Sequence, residues 1–155
     1  MAKDFSFEEL LHKSASYCSI SERCISEADE KLQKWKASDA DRTKIIDRLI
    51  EKDFINEQRY AEAFVRDKFR FNKWGKMKIS FALKTKGIDR HTIADALNQI
   101  DESEYEEMLA SILKSKLKGL KYTDEYEKQG KLFRFAQSRG FEYNVIERVL
   151  RDYQM

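Results

Sequence analysis

Proline is absent from the chain, and glycine occurs only five times in 155 residues. Average usage would supply about 5% Pro and about 7% Gly, so the ordinary turn-makers are almost missing. A β-sandwich or barrel needs turn signals roughly every 8–12 residues, and this chain does not provide them. The fold class that remains is all-α, with helices joined by short loops.

The longest uninterrupted apolar run is three residues, as in Ala63-Phe64-Val65. A membrane helix needs about 20. The first residues, Met1-Ala2-Lys3-Asp4-Phe5, lack the apolar h-region of a secretory signal. The expectation is a soluble cytoplasmic protein with no membrane partner. Cys18 and Cys24 have no Cys or His partner at metal-ligand spacing, which reads as two free thiols in a reducing compartment.

Helix signals are plentiful. Ser6-Phe7-Glu8-Glu9 has the form of a capping box, with Phe5 and Leu10 as a hydrophobic staple, and the helix runs on through Leu11, Ala15 and Cys18. A second helix is expected from Ser21, with Cys24, Ile25, Ala28, Leu32 and Trp35 on its apolar face. A third begins near Ser38 and places Ile45, Ile46, Leu49 and Ile50 on one face.

Two later segments end alike. Lys86-Gly87-Ile88 and Arg139-Gly140-Phe141 each put Gly where a left-handed helix stop needs it, followed by an apolar residue. An apolar pair four apart follows each stop, Ile93 and Leu97 in one case and Ile146 and Leu150 in the other. Ile46 and Ile50 repeat the pair near the start, after a glycine-free turn from Trp35 to Ser38. Such self-similarity predicts tandem helical units: three modules of three helices, at 5–53, 54–100 and 101–152. The middle helices are expected at 57–71, 76–86 and 89–99, and the last three at 104–117, 126–139 and 142–152. Modules of this size bury little core alone, so stacking into an elongated, curved molecule is expected.

Net charge is +2, but it is unevenly spread. Residues 1–58 carry 10 basic and 13 acidic side chains, residues 59–90 carry 10 and 3, and residues 91–155 carry 10 and 12. Within 68–88 lie seven basic residues and no acid. Positive charge concentrated in this way reads as a phosphate-facing surface. The candidate contacts are Arg66, Lys68, Arg70, Lys73, Trp74, Lys76, Lys78, Lys84 and Lys86. Phe69, Phe71 and Trp74 interleave with the charges as candidate stacking platforms. The simpler reading of the aromatics is packing: Phe64 and residues at the Phe71 and Met77 positions buried, and Trp74 shared between packing and exposure. Lys114, Lys116, Lys118 and Lys121 form a second basic patch at a helix end, where cations also complement the dipole.

No catalytic constellation stands out. His12 and His91 sit in no metal or triad motif and read as helix-surface side chains. Asp101, Glu102, Glu104, Glu106 and Glu107 mark a helix start, where carboxylates favour the dipole. The five glycines form no phosphate-cradling loop. No enzyme activity, cofactor or metal is expected.

Phe54-Ile55-Asn56-Glu57-Gln58-Arg59-Tyr60-Ala61-Glu62-Ala63-Phe64-Val65, then Lys73-Trp74-Gly75-Lys76 and Leu83-Lys84-Thr85-Lys86-Gly87-Ile88, resemble the RecX family of recombination regulators. Arg139-Gly140-Phe141 with Ile146 and Leu150 is similar to its third module. The likeness spans about residues 21–152, and the middle module is its most specific part. The first module lacks the family's usual turn glycine, and Ala136 stands where leucine is common. The resemblance implies tandem three-helix modules that bind the RecA recombinase filament. It further implies inhibition of ATPase, strand exchange and coprotease activity, and hence modulation of DNA recombination, repair and the SOS response. Weak, sequence-independent binding to single- and double-stranded DNA, a monomeric state and no cofactor are also implied. Tyr60 is expected in the core, and Arg59 in a pair with a carboxylate. The alternative is a free-standing helix-turn-helix-like DNA-binding protein.

Overall fold

The computed structural model describes residues 4–155, so the first three residues of the opening segment Met1-Ala2-Lys3-Asp4-Phe5 lie outside the described residues. The described chain is helical throughout its regular structure. The helices are α1 (Phe7–Ile20), α2 (Ile25–Lys34), α3 (Asp39–Glu51), α4 (Glu57–Arg70), α5 (Lys76–Thr85), α6 (Arg90–Leu97), α7 (Glu102–Lys118), α8 (Glu125–Ser138) and α9 (Tyr143–Asp152).

The expected start signals operate as read. The Ser6 hydroxyl accepts from the Glu9 amide at 3.2 Å, and the Glu9 carboxylate accepts from the Ser6 amide at 3.1 Å. Ser38 caps α3 by accepting from the Asp41 amide at 3.2 Å. Asp101 caps α7 by accepting from the Glu104 amide at 3.0 Å, which accounts for the acidic cluster there. The start of α2 differs from expectation. The helix begins at Ile25 because the Glu27 carboxylate accepts from the Cys24 amide at 3.2 Å. Ser21, Glu22 and Arg23 therefore remain outside it.

Among the described residues, the left-handed stops expected at Gly87 and Gly140 recur at positions that carry side chains, Lys36, Asp53 and Gln154. Gly87 and Gly140 adopt φ of 82° and 94°, and Lys36 takes the same region at 64° in the glycine-free turn. In each case the next residue's amide reaches back to a helical carbonyl, as a Schellman stop requires: Ala37 to Leu32 at 3.0 Å, Ile88 to Leu83 at 3.1 Å and Phe141 to Ala136 at 3.2 Å. The apolar pair that closes each stop is Leu32 with Ala37, Leu83 with Ile88, and Ala136 with Phe141. Ala136 is small where Phe141 is large. All six are buried.

The chain forms two compact units, the first comprising the sequence up to Ala63 together with Leu83–Ile93, the second Phe64–Ala82 and Ala94–Met155. In the first, α1, α2 and α3 pack around Leu10, Cys18, Ala28, Leu32, Ile45, Ile46, Leu49 and Ile55. In the second, α7, α8 and α9 pack around Tyr105, Leu109, Leu113, Leu132, Phe141 and Ile146. Four apolar residues expected inside stand outside or nearly so. Ile50 is 43% exposed, Phe71 80% and Met77 60%, while Phe64 is half-buried. The inward face of α4 consists of Tyr60, Ala61, Val65 and Phe69, a spacing of four and five residues that turns Phe64 to the edge. Phe71 and Met77 flank the α4–α5 turn and are open to solvent.

Cys18 and Cys24 are free and buried, and burial raises both thiols above the ordinary range. His12 and His91 are exposed. No described helix is long and apolar enough to cross a membrane. Among the described residues no cluster of three or more His, Cys, Asp or Glu side chains could hold a metal ion.

Candidate nucleic-acid interface

The basic segment is built on the end of α4, the turn after it and the start of α5. Trp74 closes the turn by donating its amide to the Lys68 carbonyl at 3.1 Å, and Lys73 before it is left-handed, with φ of 57°. The half-buried Trp74 ring gathers two cations, Lys68 Nζ at 4.8 Å and Lys78 Nζ at 4.7 Å from its centroid. Each such contact is worth about 0.5–1 kcal/mol at a partly exposed site. Lys68 also lies 5.5 Å from the Phe64 ring. Arg70, Lys73 and Lys78 are exposed. Among the described residues, none of Lys68, Arg70, Lys73 and Lys78 has a carboxylate partner. Arg66 pairs with its neighbour Asp67, at 3.6 Å with both side chains 55% exposed.

The first amides of α5 are committed within the protein. The Gly75 amide donates to the Arg139 carbonyl at 2.7 Å and the Met77 amide to the Gly140 carbonyl at 2.9 Å. Between them, the Lys76 amide donates to the Tyr105 hydroxyl at 2.8 Å. A helix start with free amides would cradle a phosphate, but these amides are satisfied. Phosphate contact here rests on side chains. Such close docking needs glycine twice. A Cβ on Gly75 would lie 2.4 Å from the Gly140 carbonyl carbon, and one on Gly140 would lie 2.3 Å from Lys78 Cβ. The buried Tyr105 hydroxyl donates in turn to Glu142, and burial pushes it well above the ordinary tyrosine range.

The other members of the basic run lie in different surroundings. Lys76 is paired with Glu102 at 2.7 Å, with 18% of its side chain exposed, and lies 4.6 Å from the Tyr105 ring. Lys84 is exposed. Lys86 pairs with Glu27 at 3.2 Å, a hydrogen bond that raises its pKa, and its carbonyl accepts from the Ser26 hydroxyl at 2.7 Å. Lys84 and Lys86 belong to the first compact unit. Arg66, Lys68, Arg70, Lys73, Trp74, Lys76 and Lys78 belong to the second.

The Arg59-Tyr60 pair has a structural role. Arg59 bridges Glu22 at 2.7 Å and Asp53 at 3.0 Å. Tyr60 is buried, with its hydroxyl 3.4 Å from Glu27. In the secondary patch Lys114, Lys116, Lys118 and Lys121 are all exposed. Lys116 lies 4.9 Å from the Phe135 ring, and Arg139 approaches that ring at 5.3 Å. Arg139 went unread as a basic contact because its sequence setting marked only a helix stop.

Residues 56–97 match the model of the RecX second three-helix domain, and residues 103–150 that of the RecX third three-helix domain. The regulatory protein RecX of Clostridium botulinum is 35% identical over 112 residues, which span 71% of this chain and 52% of that protein. That of Pectobacterium atrosepticum is 29% identical over 151 residues, covering 97% of this chain and 90% of its own. The chain spans about half the length of the clostridial relatives it matches. The crystal structure of RecX from Lactobacillus salivarius superposes with a TM-score of 0.87 at 25% identity, over 94% of this chain and 95% of that one. Its helical repeats and its sequence agree: the chain belongs to the RecX family.

Proposed function

We propose that the protein binds the filament formed by the RecA recombinase and DNA, and inhibits the filament's ATPase, strand-exchange and coprotease activities. In this way it modulates recombination and repair in the cytoplasm, without an enzymatic activity of its own. The observation that carries the reading is the Trp74 ring flanked by Lys68 and Lys78, with Arg70 and Lys73 exposed in the same segment. It offers cations with no carboxylate partner next to an aromatic face, the pairing suited to nucleic-acid phosphates and bases. Repeated three-helix domains add avidity, since weak contacts to successive filament subunits multiply through linkage. The domain boundaries that fit this picture are 5–53, 54–100 and 101–152.

The test is ATP hydrolysis by the cognate recombinase on single-stranded DNA, titrated with the purified protein. Inhibition at substoichiometric ratios is expected. No effect up to equimolar protein would refute filament inhibition. DNA binding should be sequence-independent and weaken steeply with salt. A selection that returns one strong duplex motif would instead favour a free-standing DNA-binding protein.

A further inference from the structure

The first unit, acidic by composition, carries a run of alternating rings and cations on α1, α2 and the residues that flank them. Lys13 Nζ lies 4.5 Å from the Phe5 ring centroid and 4.9 Å from that of Trp35. Lys31 Nζ lies 5.6 Å from Trp35 and 5.4 Å from Tyr17. Arg23 stands 4.0 Å over Tyr17 and is held there by a hydrogen bond from Nε to the Tyr17 carbonyl at 3.2 Å. The order is therefore Phe5, Lys13, Trp35, Lys31, Tyr17, Arg23. All six side chains are half-buried, anchored yet open on one side.

These cations are not neutralised. Elsewhere in the unit Arg42 pairs with Asp29 and Asp39, Arg59 with Glu22 and Asp53, Lys34 with Glu30, and Lys86 with Glu27. Among the described residues Lys13, Arg23 and Lys31 have no carboxylate partner. Two ammonium groups sharing one indole repel each other, an energy that a bound anion offsets. The rings further narrow the choice of ligand. An acidic peptide would satisfy the cations and leave the rings without partners, and a duplex would hide its base faces. A single strand offers both phosphates and exposed bases.

We infer that the Phe5–Lys13–Trp35–Lys31–Tyr17–Arg23 face is a binding surface for single-stranded nucleic acid, separate from the residues around Trp74. The same chemistry surrounds Trp74 with Lys68 and Lys78, and Phe135 with Lys116 and Arg139. The sequence hides the α1–α2 face because charge was summed over a segment in which acids on other faces outnumber it.

Trp35 and Trp74 are the two tryptophans of the chain, so each can report alone. In the full-length Trp74→Phe variant, titration with an oligothymidylate should quench Trp35 emission. Adding Lys13→Glu and Lys31→Glu should abolish the quenching and weaken binding about tenfold or more, with far-UV circular dichroism unchanged. Trp35 emission that does not respond to the oligonucleotide overturns the proposal. So does an affinity untouched by the double reversal, including the case in which that reversal abolishes only binding to polyglutamate. Trp74 emission in the Trp35→Phe variant, with and without Lys73→Glu and Lys78→Glu, reports on the other surface. The two readings can therefore fail separately.

Discussion

The Tyr105 hydroxyl accepts the Lys76 backbone amide at 2.8 Å while donating to the Glu142 carboxylate. One phenol thereby ties the start of α5 to α7 and α9. Replacing Tyr105 by Phe leaves a buried amide and a carboxylate without their partner, and is expected to cost about 2–3 kcal/mol in urea unfolding.

The same hydroxyl shapes the alkaline limb of stability. Burial raises Tyr105 and Tyr60 above the ordinary tyrosine value of 10.0, so above pH 10 the unfolded chain releases protons that the folded chain keeps. Lys86, raised chiefly by its hydrogen bond to Glu27, adds stability that is whole below the ordinary lysine range and lost as pH rises past it. Both contributions fall in the same direction. Thermal midpoints should drop between pH 9.5 and 11, and Tyr105→Phe should flatten the drop. A midpoint that stays level across this window would contradict it.

Cations in one run should separate into two behaviours. Lys73→Glu with Lys78→Glu is expected to cost the fold no more than the Lys78–Trp74 contact, about 0.5–1 kcal/mol. It should weaken binding to single-stranded DNA and lower the log–log salt slope by about 1.4 if each lysine meets one phosphate. Lys76→Glu should instead place a carboxylate against Glu102 and lower the midpoint. Fluorescence anisotropy and urea melts on the same samples decide between them.

Lys36 holds φ of 64° in a turn whose counterparts carry glycine. A left-handed conformation costs a side-chain-bearing residue about 1–2 kcal/mol, part of which glycine returns in unfolded-state entropy. Lys36→Gly should therefore stabilise the chain by about 0.5–1 kcal/mol, readable as a rise in the urea midpoint.

Glycines at 75 and 87 should respond unequally to alanine. At Gly87, φ is +82° but a new Cβ meets nothing within 4 Å, so the cost is the left-handed strain of about 1–2 kcal/mol. At Gly75 the new carbon meets backbone at 2.4 Å, and a loss of about 3 kcal/mol or more is expected. Comparable losses would mean that the α5 start yields more easily than its contacts imply.

Signals written in side-chain chemistry were legible in the sequence. Ser6 with Glu9, Ser38, Asp101, and the glycines at 87 and 140 mark their helix ends without any knowledge of tertiary packing. The stop at Lys36 was not, because nothing in a lysine announces a left-handed backbone. The rotation of α4 was also hidden. Phe64 and Val65 are equally apolar, so local spacing does not decide which one faces inward. The basic run predicted a single charged stretch, but Lys76 and Lys86 are tied down by Glu102 and Glu27, residues 26 and 59 positions away. Pairings of such separation leave no trace in local spacing.

The joint between the α5 start and the Arg139–Gly140 turn is made of backbone amides and carbonyls, plus two positions that must lack a side chain. It therefore places little demand on the identity of the residues beside it. Positions 73 and 78 are free to gain, lose or exchange charge while the backbone beneath them holds its course. Related chains can thus retune how strongly this surface grips a polyanion without redesigning the scaffold that presents it.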